Sequence, residues 1–173
     1  MAQENPLEQL DKIGGIGYLV IESHLDAVKQ RKMDLNDYQI RIVRDEISDV
    51  TLFLHKDRSQ GSSLDYGIRT QTRAVLSDPE LGALLARQDL PVLEQVQGAN
   101  FLTMQAAVPT FREKGLDLRY YRIELVRDGD ALVAIFTDKN AQRGARGNPG
   151  ARPAFEVAMD PSDLHVVRSN FVR

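Results

Sequence analysis

The chain has 173 residues, of which 42% are hydrophobic and 27% are charged, a balance typical of soluble globular proteins with one ordinary domain or two small ones. Its formal net charge of −3 argues against nucleic acid as a partner, and it lacks the long apolar run of a membrane span. Cysteine is absent, which excludes disulfides and thiolate metal sites, and the first residues do not resemble a secretory signal. We therefore expect a cytoplasmic protein.

The first half of the chain predicts a helix, a hairpin, a third strand and a short helix. Residues 37–44 and 50–54 are expected to pair as a hairpin, and residues 69–76 form a plausible third strand. Asp78, as N-cap, and Pro79 then start the short helix. The first helix is indicated by four apolar residues at helical spacing: Tyr18, Ile21, Leu25 and Val28.

The second half predicts a helix and four strands. Residues 120–127 and 132–137 form a hairpin around an Asp-Gly-Asp turn. A loop rich in Gly, Arg and Pro leads to strands at 155–159 and 164–171, and we expect Pro109 to kink or end the helix. That helix is indicated by an apolar stripe: Phe101, Met104, Val108 and Phe111.

The sequence repeats itself at a spacing of 83 residues. Segment 34–56 aligns without a gap on segment 117–139, with ten identities where unrelated segments would share about one or two. The sequence therefore predicts a tandem duplication, with one helix-plus-sheet repeat at 1–83 and another at 84–173. The identities are Asp34/Asp117, Leu35/Leu118, Tyr38/Tyr121, Ile40/Ile123, Val43/Val126, Arg44/Arg127, Asp45/Asp128, Val50/Val133, Phe53/Phe136 and Lys56/Lys139.

The second half resembles a known family. Its strand at 131–139, its Arg-Gly-Asn-Pro loop and its strand at 155–160 are similar to small bacterial immunity-type proteins of the cystatin-like and NTF2-like folds. In that family a "VxFxPKD" strand precedes an "RGGGP"-like loop and a "YxVxVDKKTGKV"-like hairpin; here the loop and the Asp-Pro-Ser-Asp turn depart from the pattern. The resemblance implies an α+β fold, each repeat a helix packed on a curved antiparallel sheet.

The loop from Arg143 to Arg152 is the most unusual local feature. It carries three arginines, three glycines and no acid, so it can bind phosphate, nucleic acid or a carboxylate-rich partner, or it can be a solvated hairpin loop. Arg69 and Arg152 occupy equivalent positions in the two repeats, which favours a structural role for that pair. The partner-binding residues that we predict are Arg143, Arg146, Tyr120, Asp138 and Lys139.

No pattern points to catalysis, a cofactor or a metal. The three histidines lack a second ligand at metal-site spacing, and Glu22, His24 and Asp26 are interpreted as a solvated helix face. Gly14–Gly17 lacks the spacing of a phosphate loop and is interpreted as the start of the helix. The positions expected to face the helix are apolar, which indicates a filled core: Tyr121, Ile123, Leu125, Phe136, Phe155 and Val157.

Three functions follow as expectations. The resemblance implies a non-enzymatic protein-binding module, most concretely a cytoplasmic immunity-type protein that blocks a toxin or effector. Because folds of this kind commonly pair sheets between chains, the duplication predicts an internal pseudo-dimer, with a homo-oligomer as a further possibility. The alternatives are an NTF2-like small-molecule binder or lyase/isomerase with a pocket between helix and sheet, and an RNA- or phosphate-binding module that uses the arginine loop.

Overall fold

The computed structural model describes residues 7–61, 63–141 and 152–172. Within these residues the fold is mixed α+β, with four α-helices and two antiparallel sheets. The elements are β1 (Glu8–Gly14), α1 (Gly15–Glu22), α2 (Leu25–Gln30), β2 (Tyr38–Arg44), β3 (Asp49–His55), β4 (Tyr66–Arg69), α3 (Asp78–Ala86), β5 (Val92–Gln97), α4 (Gly98–Arg112), β6 (Tyr121–Asp128), β7 (Ala131–Asp138), β8 (Phe155–Met159) and β9 (Val166–Phe171).

The chain divides into two compact units. Gly17–Phe101 forms the contiguous unit, and Met1–Ile16 together with Leu102–Arg173 forms the split unit. This division differs from the predicted boundary between residues 83 and 84. The reason is strand pairing, because β5 lies beside β2 in the contiguous unit and β1 lies beside β6 in the split unit.

The contiguous unit contains a four-stranded sheet in the order β4-β3-β2-β5. Tyr18, Ile21 and Val28 are buried, as their helical spacing predicts. Leu81 and Leu84 from α3 pack in a second apolar cluster with residues of β2 and β3. Apolar side chains therefore hold α1 and α2 on the sheet, and a second set holds α3. Full burial of one such side chain stabilises the folded state by about 1.5–3 kcal/mol.

The split unit contains a five-stranded sheet in the order β1-β6-β7-β8-β9. The ring of Phe111 on α4 stacks on Phe136 with centroids 4.3 Å apart and meets the Tyr121 ring edge-on at 4.9 Å. All six positions predicted to face the helix are at most 1% exposed, so this prediction is confirmed. Aromatic rings fill the space between α4 and the sheet.

Strands β1 and β5 were not predicted, and they pair in matching ways. Ile13 lies opposite Ile123 in the split unit, and Val96 lies opposite Ile40 in the contiguous unit. Both ladders shift register at one extra residue, which is residue 10 in β1 and residue 93 in β5. Each of the two strands thus carries a bulge at the same place in its ladder.

Gly15 and Gly98 begin α1 and α4 at points where the backbone passes very close to a neighbour. A Cβ atom on Gly15 would overlap the carbonyl oxygen of Leu118, and one on Gly98 would overlap that of Leu35. Neither glycine has a positive φ, so the need is for space and not for a special conformation. The glycine run at 14–17 does start a helix, as predicted.

The helices differ from expectation in three places. The first predicted helix is broken at Ser23 and His24 into α1 and α2. Helix α4 continues through Pro109 to Arg112, because burial on either side of the proline offsets the missing hydrogen bond. The short helix α3 is present, but Ser77 is its N-cap in place of Asp78 and forms a capping box with Glu80.

The third strand of the contiguous unit is shorter than predicted and lies earlier. It covers Tyr66–Arg69 in place of 69–76, and only a single bridge joins it to Val75. Tyr66 lies opposite Phe53, and Phe155 lies opposite Phe136, so these third strands are 89 residues apart, not 83. The predicted equivalence of Arg69 and Arg152 is therefore wrong, because the connection before β8 is six residues longer.

The described residues include no helix of the length and hydropathy needed to cross a membrane.

Candidate functional site

A single 3-10 turn before β6 positions Tyr120 at the surface of the split unit. Asp117 caps this turn by accepting a hydrogen bond from the Arg119 N–H at 3.0 Å. The carbonyl oxygen of Tyr120 then accepts a 2.9 Å hydrogen bond from the Lys139 N–H at the end of β7. The backbone of Tyr120 is thus fixed on both sides while its residue surface remains 37% exposed.

Three cations surround the ring of Tyr120. The Arg152 guanidinium carbon lies 3.9 Å from the ring centroid, the Lys139 Nζ 5.6 Å and the Arg119 guanidinium carbon 5.9 Å. Arg152 is therefore stacked on the ring, and the other two lie near the outer limit of a cation–π contact, about 6 Å. We call Arg119, Tyr120, Lys139 and Arg152 the Tyr120 cluster.

Asp138 supports this cluster from below the surface. It is 3% exposed, so the prediction that it is an exposed position is wrong. The backbone N–H of Arg152 donates to its carboxylate at 2.9 Å, that of Asn140 at 2.8 Å, and the Arg152 guanidinium lies 3.4 Å away. These donors, the Arg152 N–H first, lower the pKa of Asp138 below its usual range, so it stays ionised and holds Arg152 against the ring.

The charges of the cluster are only partly neutralised. Asp117 engages the Arg119 guanidinium at 2.6–3.1 Å, and Asp138 engages Arg152. In the part of the chain that the structure describes, no ion pair involves Lys139, which is exposed. A carboxylate or phosphate that approaches Tyr120 therefore meets an aromatic surface beside positive charge, which suits an acidic group on a partner.

The two other predicted contact residues, Arg143 and Arg146, lie outside the described residues. Of the five, the structure brings Tyr120, Lys139 and Asp138 together, with Asp138 beneath the surface. Sequence reasoning missed the stacked position of Arg152 and the capped position of Arg119. The Asp117–Tyr120 sequence carries a usable signal, since an Asp followed by a short polar turn predicts that local capping.

The corresponding turn in the contiguous unit has a different chemistry. Asp37 and Asn36 stand 83 residues before Tyr120 and Arg119, and the Lys56 N–H donates to the Asp37 carbonyl at 2.8 Å. The backbone connection is the same, but an acid replaces the aromatic ring. Lys56 therefore provides a matched control for Lys139.

The histidines do not form a second site. No group of three His, Cys, Asp or Glu side chains within the described ranges could hold a metal ion. His24 is 1% exposed, so its predicted place on a solvated face is wrong; the helix break after Glu22 turns it inward. Among the described residues, neither ring nitrogen of His24 has a hydrogen-bond partner.

No protein family model, curated protein or solved structure matches this chain. The Tyr120 cluster is consequently the basis on which a function can be argued.

Proposed function

We propose that this protein is a non-enzymatic protein-binding module and that the Tyr120 cluster contacts an acidic surface of its partner. The observation that carries the proposal is the half-exposed Tyr120 ring, stacked on Arg152 and flanked by Lys139. Tyr and Arg are the residue types that most often dominate the energy of a protein interface.

The cluster is also suited to binding because it is already ordered. The side chain of Tyr120 has only two torsions to fix. The Asp138 carboxylate accepts hydrogen bonds from both the backbone N–H and the guanidinium of Arg152, which fixes Arg152 in place. Little conformational entropy remains to be lost when a partner covers these residues. A pre-organised aromatic anchor with a charged rim favours a specific and salt-sensitive contact.

The most concrete form of the proposal is a cytoplasmic immunity-type protein that binds and blocks a toxin or effector. The support for it is the resemblance of strands β7 and β8 and their loop to that family, together with the exposed cluster at the end of β7. The alternative, a small-molecule site between helix and sheet, lacks a favouring observation, because Phe111, Phe136 and Phe155 occupy that space and are 0% exposed.

A tandem duplication is part of the same proposal. It is supported by features that recur 83 residues apart. These are the close approach of Gly15 and of Gly98 to a leucine carbonyl, and the bulges in β1 and β5. Tyr38 and Tyr121 likewise donate their hydroxyl hydrogens at 2.9 Å to the carbonyls that stand two residues before β4 and β8. The internal pseudo-dimer expected from the sequence would be the product of this duplication.

The first test compares capture of a partner by matched variants. The tagged wild-type protein is used to retain partners from a lysate of its source, and the retained protein is then titrated against each variant. We expect Tyr120→Ala to weaken binding about 30-fold, because it removes the aromatic anchor of the interface. We expect Lys139→Glu to weaken binding about tenfold, because it places a negative charge opposite the acidic surface of the partner.

The control is Lys56→Glu, which makes the same charge change on the equivalent backbone of the contiguous unit. We expect it to bind like the wild type, and we expect wild-type binding to weaken as salt is raised. Equal affinity for wild type and Tyr120→Ala, or equal losses in Lys139→Glu and Lys56→Glu, would contradict a contact through the cluster.

A further inference from the structure

Strand β9 forms an edge of the five-stranded sheet and is exposed along its full length. In the described part of the chain it pairs with β8 alone. Four large apolar side chains in and just after it are 38–52% exposed: Val166, Val167, Phe171 and Val172. An exposed apolar edge strand is a template for pairing with another extended segment.

The direction of the free backbone groups follows from the pairing with β8. The Val172 N–H donates to the Ala154 carbonyl at 2.9 Å, so Val172 faces β8. Because successive residues of a strand alternate, Ser169 and Phe171 turn their N–H and C=O groups away from β8. The Phe171 carbonyl accepts a long, 3.4 Å hydrogen bond from the Asn170 side chain, which leaves it a second lone pair.

An open groove of about 670 Å³ runs beside this edge. It is lined by Lys114, Phe155 and the last residues of β9, including Ser169 and Phe171. Phe171 packs edge-on against Phe155 at 5.1 Å, and the Lys114 Nζ lies 5.8 Å from the Phe155 ring centroid. Among the described residues that line this groove, Lys114 is the one with an ionisable side chain, and it places a positive charge beside the apolar floor.

Two other edge strands of the described residues, β1 and β5, carry acidic residues, which β9 does not. Strand β1 carries Glu8, Asp11 and Lys12, and strand β5 carries Glu94. Charged residues on an edge oppose the addition of a further strand. The two residues of β9 that line the groove and carry the free backbone groups, Ser169 and Phe171, have uncharged side chains.

We infer that β9 and the groove bind an extended segment of another protein, which adds to the sheet as a sixth strand. The free groups of Ser169 and Phe171 supply the backbone hydrogen bonds. An apolar side chain of the segment packs on Phe171, and an acidic side chain faces Lys114. A second copy fits less well, because β9 contains no acidic residue that could face Lys114 of the other copy.

The inference is separate from the Tyr120 cluster, and its test does not need the natural partner. The probes are two capped, fluorescently labelled octapeptides, Thr-Val-Thr-Glu repeated twice and Thr-Val-Thr-Lys repeated twice, titrated against the full chain. In a strand, each peptide places its valines and its charged residues on the same face. We expect the glutamate peptide to bind about threefold or more tightly than the lysine peptide. The amides of Ser169 and Phe171 should also gain protection from hydrogen exchange.

Two variants at one position test the backbone contact. Ser169→Pro removes an N–H that points away from β8, and it leaves the hydrogen bonds to β8 in place. It should weaken binding of the glutamate peptide about tenfold or more. Ser169→Ala keeps that N–H and should bind like the wild type. Circular dichroism and the melting temperature show whether Ser169→Pro remains folded.

Lys114→Glu tests the charge contact on an exposed residue, and its melting temperature shows whether the variant remains folded. It should reverse the preference, so that the lysine peptide binds more tightly. Three results would overturn the inference: unchanged binding by folded Ser169→Pro, an unchanged preference in Lys114→Glu, or a dimer in sedimentation that Ser169→Pro dissociates. Tyr120→Ala should leave peptide binding intact, so failure here is distinguishable from failure of the proposed function.

Discussion

Thr51 places a hydroxyl group in the core of the contiguous unit. The residue lies in β3, is 0% exposed, and its Oγ1 has no hydrogen-bond partner among the described residues. Burying a hydroxyl without a partner costs about 1–3 kcal/mol. The residue that stands 83 positions later, Ala134, avoids this cost.

Replacement of this hydroxyl should stabilise the protein. We expect Thr51→Val to raise the free energy of unfolding by about 1 kcal/mol, because a methyl group takes the place of the unpaired hydroxyl. The control Thr51→Ser keeps the hydroxyl and loses a methyl group, so it should lower that free energy by about 1 kcal/mol. Urea denaturation measures both, and equal destabilisation by the two variants would show that the hydroxyl is satisfied.

His24 makes the stability of the fold sensitive to acid. Burial, and secondarily the nearby Arg73, lower the pKa of His24 below its usual value of 6.5. Above pH 6.5 the imidazole is neutral in both states and contributes no pH dependence. As the pH falls below 6.5, the unfolded chain binds a proton that the folded chain does not, so stability falls by up to about 1.4 kcal/mol per pH unit until the folded pKa is reached.

The variant His24→Leu should remove this acid dependence. Denaturant midpoints measured from pH 7.5 to 4.5 should fall less steeply for the variant than for the wild type below pH 6.5. His165 serves as the contrast, because its exposed ring pairs with Asp163 and its pKa is raised. Stability from that pair is present at low pH and lost as the pH rises through the raised pKa, so His165→Gln should not flatten the acid limb.

At the scale of single elements, the starts of α1 and α4 depend on glycine. We expect Gly98→Ala to lower the free energy of unfolding by about 3 kcal/mol or more, because the new Cβ would overlap the Leu35 carbonyl. Gly15→Ala should behave in the same way against Leu118. Thermal denaturation followed by circular dichroism measures the loss.

The control is Gly82→Ala in α3, where nothing lies within 4 Å of the added Cβ. Alanine favours a helix over glycine by up to about 1 kcal/mol, so this variant should be as stable as the wild type or more so. A loss in Gly82→Ala comparable to that in Gly98→Ala would mean that the close approaches are not the cause.

Elements with strong periodicity were predictable from sequence, and elements set by tertiary contacts were not. The stripe from Phe101 to Phe111 predicts α4, and the alternation from Phe155 to Met159 predicts β8 with its observed bounds. Strand β1 has mostly exposed or half-buried residues and thus little alternation. The inward position of His24 depends on a helix break that no residue pattern marks.

The candidate site was predictable to the same degree. The exposure of Tyr120 and Lys139 follows from their places at a turn and a strand end. The burial of Asp138 could not be foreseen, because it depends on the N–H of Arg152, which the chain brings back 14 residues later. A side chain held by a distant backbone group leaves no local trace in the sequence.

At the scale of the whole molecule, the strand pairing predicts which fragments fold. The segment 17–101 contains its complete four-stranded sheet, including β5, and should give a cooperative unfolding transition when it is produced alone. The fragment 1–83 lacks β5 and leaves β2 unpaired on one side, so we expect it to be unfolded or aggregated. Circular dichroism shows which of the two fragments is folded. A folded 1–83 fragment would show that the four-stranded sheet does not need β5.

The position of β1 also fixes an order of events during synthesis. Ile13 pairs with Ile123, so β1 leaves the ribosome about 110 residues before its partner strand does. The contiguous unit is complete once Phe101 has emerged, and at about 5–20 residues per second β6 follows within about 1–6 seconds. During that interval the nascent chain carries one complete unit and an unpaired β1, so β1 finds its partner strand only after the unit that follows it in the sequence has been made.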